Sequence, residues 1–243
     1  MVAIPQRGDP TLEMANREAE RRSQREARRS PNLGASQIGH ACERYLWLTI
    51  QPDTPTEEFT SQTLYRFADG HACEAVMAER LAAVEGVTLE TIDPTTGRQY
   101  GARLLDNRFK CFVDGFVMGL IQAPAAAHIW EGKAVNPDKY KKFQKLKRDL
   151  GEKSTLAAWD GVYYAQAVVS MEVFDLTRHY LTVCTPGARE WDSCRTEANP
   201  TMARALIARA KRIIEARDMP ERASDSPKAP PCLFCRFKDR CHG

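Results

Sequence analysis

The chain has 243 residues with 43% hydrophobic and 28% charged side chains, enough apolar material to bury a full core and an ordinary balance for a globular protein. Its formal charge of +3 is too small to imply a nucleic-acid partner by itself, so any basic surface must be local. No run approaches the ~20 apolar residues that span a bilayer, and Met1 to Asp9 lacks the apolar stretch of a signal region, so no membrane partner is expected and a cytoplasmic location is.

Residues 1–31 interleave Arg17, Arg21, Arg22, Arg25, Arg28 and Arg29 with Glu13, Glu18, Glu20 and Glu26 and carry almost no large apolar side chains. That pattern predicts a solvated helix or a disordered arm, with Glu18 and Arg22 as an i,i+4 pair. Order is expected from Leu33-Gly34 onward, with Ser36 capping a short helix that carries Cys42, Tyr45, Leu46 and Trp47. Pro52 to Pro55 breaks the chain, and Thr63 to Val84 reads as an amphipathic helix with Leu64, Phe67, Val76, Leu81 and Val84 toward the core. Within it, Gly70-His71-Ala72-Cys73-Glu74 sets polar side chains where the helix should pack.

Val87 to Ile92, Gln99 to Leu105, Phe109 to Met118 and His128 to Val135 read as strands, with turns at Asp93-Pro94 and Asp106-Asn107. Pro137 opens a lysine-rich helix that runs to Leu150 and ends at Gly151. A helix over Thr155 to Val173, a last strand over Arg178 to Cys184, a helix over Met202 to Arg217 and a proline-punctuated loop over Pro227 to Gly243 complete the chain. This order predicts an α/β fold, a mixed central sheet flanked by helices.

Charge sits inside two of these apolar strands. Asp114 follows Phe112-Val113, and Glu131 and Lys133 interrupt Ile129-Trp130 and Val135. A carboxylate among Phe, Val, Ile and Trp loses hydration unless a cation or a hydrogen-bond network replaces it. Glu131 and Lys133 are two apart and share a strand face, and Asp114 can face them across the turn from Gly119 to Ala127. Such oxygen donors suit Mg²⁺ or Mn²⁺; a plain Glu–Lys ion pair is the simpler reading of the same spacing. Directly downstream come Lys139, Lys141, Lys142, Lys145, Lys147 and Arg148, which read either as a solvated face or as a phosphate-backbone contact.

Eight cysteines in a reducing compartment do not suggest a disulfide framework, so their spacing is what matters. Cys232-x2-Cys235-x5-Cys241 is a compact thiol cluster in a loop, and Cys42 is the best fourth ligand. Uneven spacing with only one Cys-x2-Cys pair fits a 4Fe-4S cluster better than zinc, which stays the alternative. His40 and His242 each abut a cysteine, which disfavours them as substitutes. Cys73, Cys111, Cys184 and Cys194 read as small core residues.

Taken together, these pieces resemble the PD-(D/E)XK nucleases, in their iron–sulfur RecB-like branch of CRISPR adaptation nucleases, AddB nuclease domains and phage exonucleases. Ala35 to Arg44 with Leu46-Trp47 resembles the segment that supplies the first cluster cysteine, and Cys232, Cys235 and Cys241 resemble the terminal trio. Phe112-Val113-Asp114 and Glu131-Gly132-Lys133 are similar to the two active-site strand motifs, and Tyr163-Tyr164-Ala165-Gln166 to the tyrosine/glutamine helix motif.

The resemblance implies a restriction-endonuclease-like core over residues 32–243, preceded by the arm at 1–31 and stapled by an iron–sulfur cluster. It also implies Mg²⁺- or Mn²⁺-dependent hydrolysis of DNA, most simply by an exonuclease in phage or bacterial recombination, repair or replication. Asp114, Glu131 and the Gly132 carbonyl would hold the ion, Lys133 would act on water, and Gln166 and Tyr163 would lie near the cut strand. Many family members place a His four residues after a Gly in the first helix; here that offset from Gly70 holds Glu74, as in lambda-type exonucleases, so Glu74 is the third carboxylate and His71 the alternative. A recombinase, helicase or annealing protein would be the natural partner. The competing expectation is a non-catalytic DNA-binding subunit that keeps the fold and the thiol site.

Overall fold

A computed structural model describes residues 10–27 and 30–243; Met1 to Asp9, Arg28 and Arg29 lie outside the described residues. Helix α1 spans Pro10–Glu26 and buries no side chain. Its ion pairs include Arg17–Glu13 at 3.8 Å, Arg22–Glu26 at 2.9 Å and Arg25–Glu18 at 2.6 Å, so Glu18 pairs one turn further along than the expected Arg22. The helix is nevertheless docked, because Glu20 accepts from the Ser61 amide at 2.8 Å and Asn16 from the Tyr65 hydroxyl at 3.0 Å.

Strand β1, Leu33–Gly34, leads through a turn at residues 35–39 to helix α2, Glu43–Ile50. The predicted cap at Ser36 is therefore displaced: Cys42 caps α2, its sulfur accepting from the Tyr45 amide at 3.4 Å. Helix α3 spans Ser61–Ala82 with Thr60 as its cap. Of its five predicted core residues only Leu81 is buried; Cys73, Met77 and Leu81 form the packed stripe, whereas Phe67 is 48% exposed. Only the C-terminal half of α3 meets the sheet, which is why Leu64 and Phe67 find no core.

The predicted strand over 109–118 is broken in two, and its halves belong to different sheets. β2 (Thr88–Glu90), a hairpin of β3 (Ile92–Asp93) and β4 (Arg98–Gln99), and β5 (Gly101–Leu104) precede β6 (Phe109–Phe112) and β7 (Gly115–Met118). β8 follows at His128–Ala134 and helix α4 at Pro137–Leu150, capped by Asn136. The single helix predicted over 155–173 is two, α5 (Glu152–Trp159) and α6 (Gly161–Val173), because the Asp160 carboxylate accepts from the Val162 and Tyr163 amides and starts a new helix. β9 runs Arg178–Cys184, and β10, Trp191–Glu197, is a further strand that the sequence reading omitted. Helix α7 spans Pro200–Glu215, and the terminal loop contains two short helices, α8 (Pro230–Leu233) and α9 (Lys238–His242).

The fold is mixed α/β. Its central sheet has the order β10-β9-β8-β7-β2, with β8 and β9 parallel and the other neighbours antiparallel. A parallel pair needs a crossover, and α4, α5 and α6 supply it. Cys73, Met77 and Leu81 of α3 pack with Trp130 and Tyr180 on one face of the sheet. Leu156 and Trp159 of α5 pack with Leu181 and Val183 on the other. A smaller sheet, β1-β6-β5, shares a third cluster with α2, α6 and α7 through Leu33, Leu46, Phe109, Val169 and Ile213. Among the described residues no helix is long and apolar enough to cross a membrane.

Candidate active site

Asp114 occupies the break between β6 and β7, where the chain leaves the small sheet for the central one. One carboxylate oxygen accepts from the Gly132 amide at 3.0 Å and the other from the Gln99 side chain at 3.3 Å. Glu131, on the neighbouring β8, is buried; it accepts from Lys133 Nζ and, at 2.9 Å, from Gln166 Nε2 of α6. Lys133 Nζ also donates to the Gly132 carbonyl at 3.1 Å and lies 3.9 Å from Asp114.

The third carboxylate comes from α3. A Cβ added at Gly132 would meet Glu74 Cγ at 3.2 Å and Met77 Cε at 3.1 Å, so a glycine here lets the helix bring Glu74 onto β8. His71 Nδ1 lies 3.5 Å from Glu74, but its side chain is 80% exposed and stands at the rim. A second close approach involves Gly39, whose added Cβ would strike Val162 and Ala165 of α6 at 2.7 and 2.8 Å. That contact fixes the 35–40 turn beside the helix that carries Gln166.

Three carboxylates thus share one ammonium in a site that water scarcely enters. Burial lifts the Glu131 carboxyl to about 7, with Asp114 adding to the rise and Lys133 opposing it. Burial and then Asp114 also raise Glu74. Burial alone would push Lys133 down, but Glu131 and Asp114 outweigh it and hold the ammonium above the usual lysine range. The surplus negative charge on oxygen donors is what a hard divalent cation would neutralise, so this set fits Mg²⁺ or Mn²⁺.

Tyr163 closes another side: its ring lies 5.7 Å from Lys133 Nζ and 4.5 Å from Lys139 Nζ. The basic run on α4 divides. Lys139 is held by Asp160 at 2.7 Å and Lys147 by Asp192 at 2.5 Å. Lys141, Lys142, Lys145 and Arg148 are exposed and form no ion pair among the described residues.

Cys42, Cys232, Cys235 and Cys241 line one small cavity together with Arg44, Arg222 and Lys238. All four are free thiols. Burial raises the Cys235 thiol, and its three companions are near enough to add to the rise. Four sulfurs inside a cationic wall fit a metal held as tetrathiolate, which carries net negative charge whether the centre is iron–sulfur or zinc. His40 is occupied elsewhere, its Nδ1 taking the Cys42 amide at 3.1 Å and its ring stacking on Tyr45. Among the described residues no three His, Cys, Asp or Glu side chains close into a formed ion cage, so both assignments rest on donor chemistry and not on coordination geometry.

The sequence reading placed Gln99 at the start of a strand and gave it no part in the site, because a glutamine in a short hairpin carries no signal of its own. No protein-family model and no curated protein match the chain. Among solved structures, that of SSO0001 aligns over 96% of this chain and 96% of its own, at a TM-score of 0.51 and 12% identity. LHK-Exo in complex with dAMP aligns over 76% of this chain and 87% of its own, at 0.49 and 14%. The alkaline exonuclease LHK-Exo from Laribacter hongkongensis aligns over 82% and 94%, at 0.45 and 15%. The likeness to SSO0001 spans both chains and is one of fold.

Proposed function

We propose that the chain is a Mg²⁺- or Mn²⁺-dependent DNA nuclease of the PD-(D/E)XK type, with residues 32–243 as the nuclease unit and an exonuclease role in phage or bacterial DNA recombination, repair or replication. The observation that carries this reading is the meeting of Asp114, Glu131 and Glu74 around Lys133 where β7, β8 and α3 come together. The order of the sequence motifs supports it.

Asp114, Glu131 and Glu74 would hold the cation, with His71 at the rim. When bound, the cation supplies Lewis-acid stabilisation of the phosphoryl group and lowers the pKa of water. Lys133, fixed by two carboxylates and the Gly132 carbonyl, orients the attacking water and stabilises charge developing on phosphate. Gln166 holds the Glu131 carboxylate in one rotamer, so its part is positioning. Tyr163 offers a ring face beside Lys133 and Lys139 against which the strand can rest. The unpaired Lys141, Lys142, Lys145 and Arg148 attract the phosphate backbone, which makes binding steeply salt-dependent. The four thiols hold a 4Fe-4S cluster, with zinc as the alternative, and tie the C-terminal segment to residue 42.

Anaerobically purified protein, its absorbance spectrum and cleavage of end-labelled single- and double-stranded DNA with Mn²⁺ or Mg²⁺ test the proposal beside Glu131→Ala and Lys133→Ala. Brown protein with metal-dependent cleavage lost in both variants is expected. Colourless active protein would retain the nuclease and replace the cluster with zinc. Cleavage surviving both substitutions would overturn the assignment of this active site, and none on any substrate would favour a non-catalytic DNA-binding subunit.

A further inference from the structure

The thiol corner carries charge of one sign. Arg44, Arg222 and Lys238 line its cavity, and no aspartate or glutamate does. A cation drawn partly out of water needs a negative counterpart or it loses hydration without return. Arg222 finds one outside the cavity, Asp225 at 3.7 Å, and its Nη1 meets His242 Nδ1 at 3.3 Å. Lys238 has neither an ion pair nor a sulfur within hydrogen-bond reach among the described residues.

Arg44 is placed differently. The carboxylate next to it in sequence, Glu43, is held by Arg209 and Arg212 of α7, each at 3.0 Å, and is lost to it. Half-buried Arg44 forms no ion pair among the described residues. Its Nε donates to the Pro220 carbonyl at 2.6 Å and its Nη1 to Cys241 Sγ at 3.4 Å. The carbonyl brings no charge, so the sulfur is what remains to answer the guanidinium. A neutral thiol is a weak acceptor. A thiolate on a metal keeps negative charge and lone pairs, and a bond between charged groups is roughly twice as strong as a neutral one.

The fold puts this contact where it matters. Cys42 caps α2 and Arg44 stands two residues on, in the first turn, while Cys241 belongs to α9. One turn of α2 thus supplies one sulfur of the corner and grips another that comes from the far end of the chain.

We propose that Arg44 is a positioning residue for the corner's metal: its Nη1–H donates to the Cys241 thiolate and holds that ligand in place, and its charge offsets part of the site's net negative charge. The inference rests on the reading that the four thiols hold a metal, and adds the side chain that retains it. It applies to a 4Fe-4S cluster and to zinc alike, since both present thiolate sulfur.

Release of metal from the anaerobically purified 243-residue chain into excess EDTA tests it, with iron, acid-labile sulfide and zinc counted per chain to say which centre is present. Arg44→Met removes the charge and both bonds, and release should be at least about tenfold faster, the usual effect of losing a bond that supports a metal ligand. Arg44→Gln replaces it in the comparison if Arg44→Met does not fold. Arg44→Lys also loses the Pro220 tether but keeps a cation that donates; because the bond to sulfur is single and not forked, release should stay within about threefold of the unaltered chain. Lys238→Met removes an equal charge that reaches no sulfur, and should change release less than about twofold. Equal acceleration in Arg44→Met and Arg44→Lys would make Arg44 a tether to Pro220 and overturn the proposal. Release unchanged in Arg44→Met, or accelerated as much by Lys238→Met, would overturn it too. These three results leave the thiol-site reading standing, whereas a chain that carries neither iron nor zinc would overturn that reading together with the proposal.

Discussion

The carboxylate centre and the thiol corner are built on opposite plans. At the centre every acid already has a protein partner: Asp114 takes Gly132 and Gln99, Glu131 takes Lys133 and Gln166, and Glu74 is faced by His71. At the corner the sulfurs receive little, a Tyr45 amide at Cys42 and an Arg44 guanidinium at Cys241, each at 3.4 Å. Strands and a long helix carry the first, whereas short helices and turns carry the second. The centre is thus shaped by its own protein partners, whereas under the proposed assignment the corner would be completed by a metal. Loss of metal should silence one and unfold the other.

The largest expected effect is on chemistry. Asp114→Asn keeps an acceptor for the Gly132 amide but removes the charge and turns the oxygen that accepts from Gln99 into an amide donor, so cleavage should fall by at least about 10²-fold while the circular dichroism spectrum and thermal midpoint stay put. A midpoint that collapses with the activity would make Asp114 a structural residue. At the corner the order reverses: Cys232→Ser should lower the thermal midpoint by about 10 °C, given the free energy that thiolate–metal bonds contribute and the few degrees each kcal/mol is worth. Protease should then cut first within the C-terminal segment. A midpoint unmoved by the substitution would detach the corner from stability.

A smaller effect sharpens the centre. Gln99→Leu leaves one Asp114 oxygen without its donor, and such supporting bonds typically carry about tenfold in metal affinity. The Mn²⁺ concentration for half-maximal binding, read by electron paramagnetic resonance, should rise about tenfold while cleavage at saturating Mn²⁺ changes less than about twofold. An unchanged Mn²⁺ isotherm would remove Gln99 from the site.

The smallest effect lies on β9, beside the carboxylate centre. Burial holds His179 down to about 3, far under its value in an unfolded chain. Between about 6.5 and that value the unfolded state binds a proton that the folded state refuses. The stability that His179 contributes should therefore fall as pH drops through this window and be flat above it, against the opposite contribution of Glu131, whose raised carboxyl costs stability as pH rises toward 7. Urea midpoints at pH 5 and pH 7 should differ in the native chain and differ less in His179→Leu.

What was legible in the sequence was whatever local chemistry sets by itself. Pro137 and Gly151 bound α4, and β9, Arg178 to Cys184, stands where Tyr180, Leu181, Thr182 and Val183 favour extended chain. The juxtaposition of Glu131 with Lys133 followed from strand alternation. β10 escaped because Trp191-Asp-Ser-Cys-Arg-Thr-Glu197 has almost no apolar alternation; it is a strand because Cys194 packs with Leu181 on β9. The break at Asp160 was hidden by continuous helical periodicity, although Asp160-Gly161 was the available sign. Gln99 and the Arg44 bond to Cys241 come from pairings across distant segments, which local pattern does not encode.

The thiol corner has a consequence for how the protein is made. Arg44 and the Cys241 sulfur it reaches are separated by 197 residues, and Phe237 packs in the same cluster as Leu33 and Leu46. The nascent chain can fold its central sheet and carry its carboxylates into place before the corner can exist. A nascent chain extended past β10 but short of Cys232 would hold its acids in place with its clasp undone. Synthesis through Cys241 and, under the proposed assignment, delivery of a metal to the four thiols would thus be joint conditions for a closed clasp.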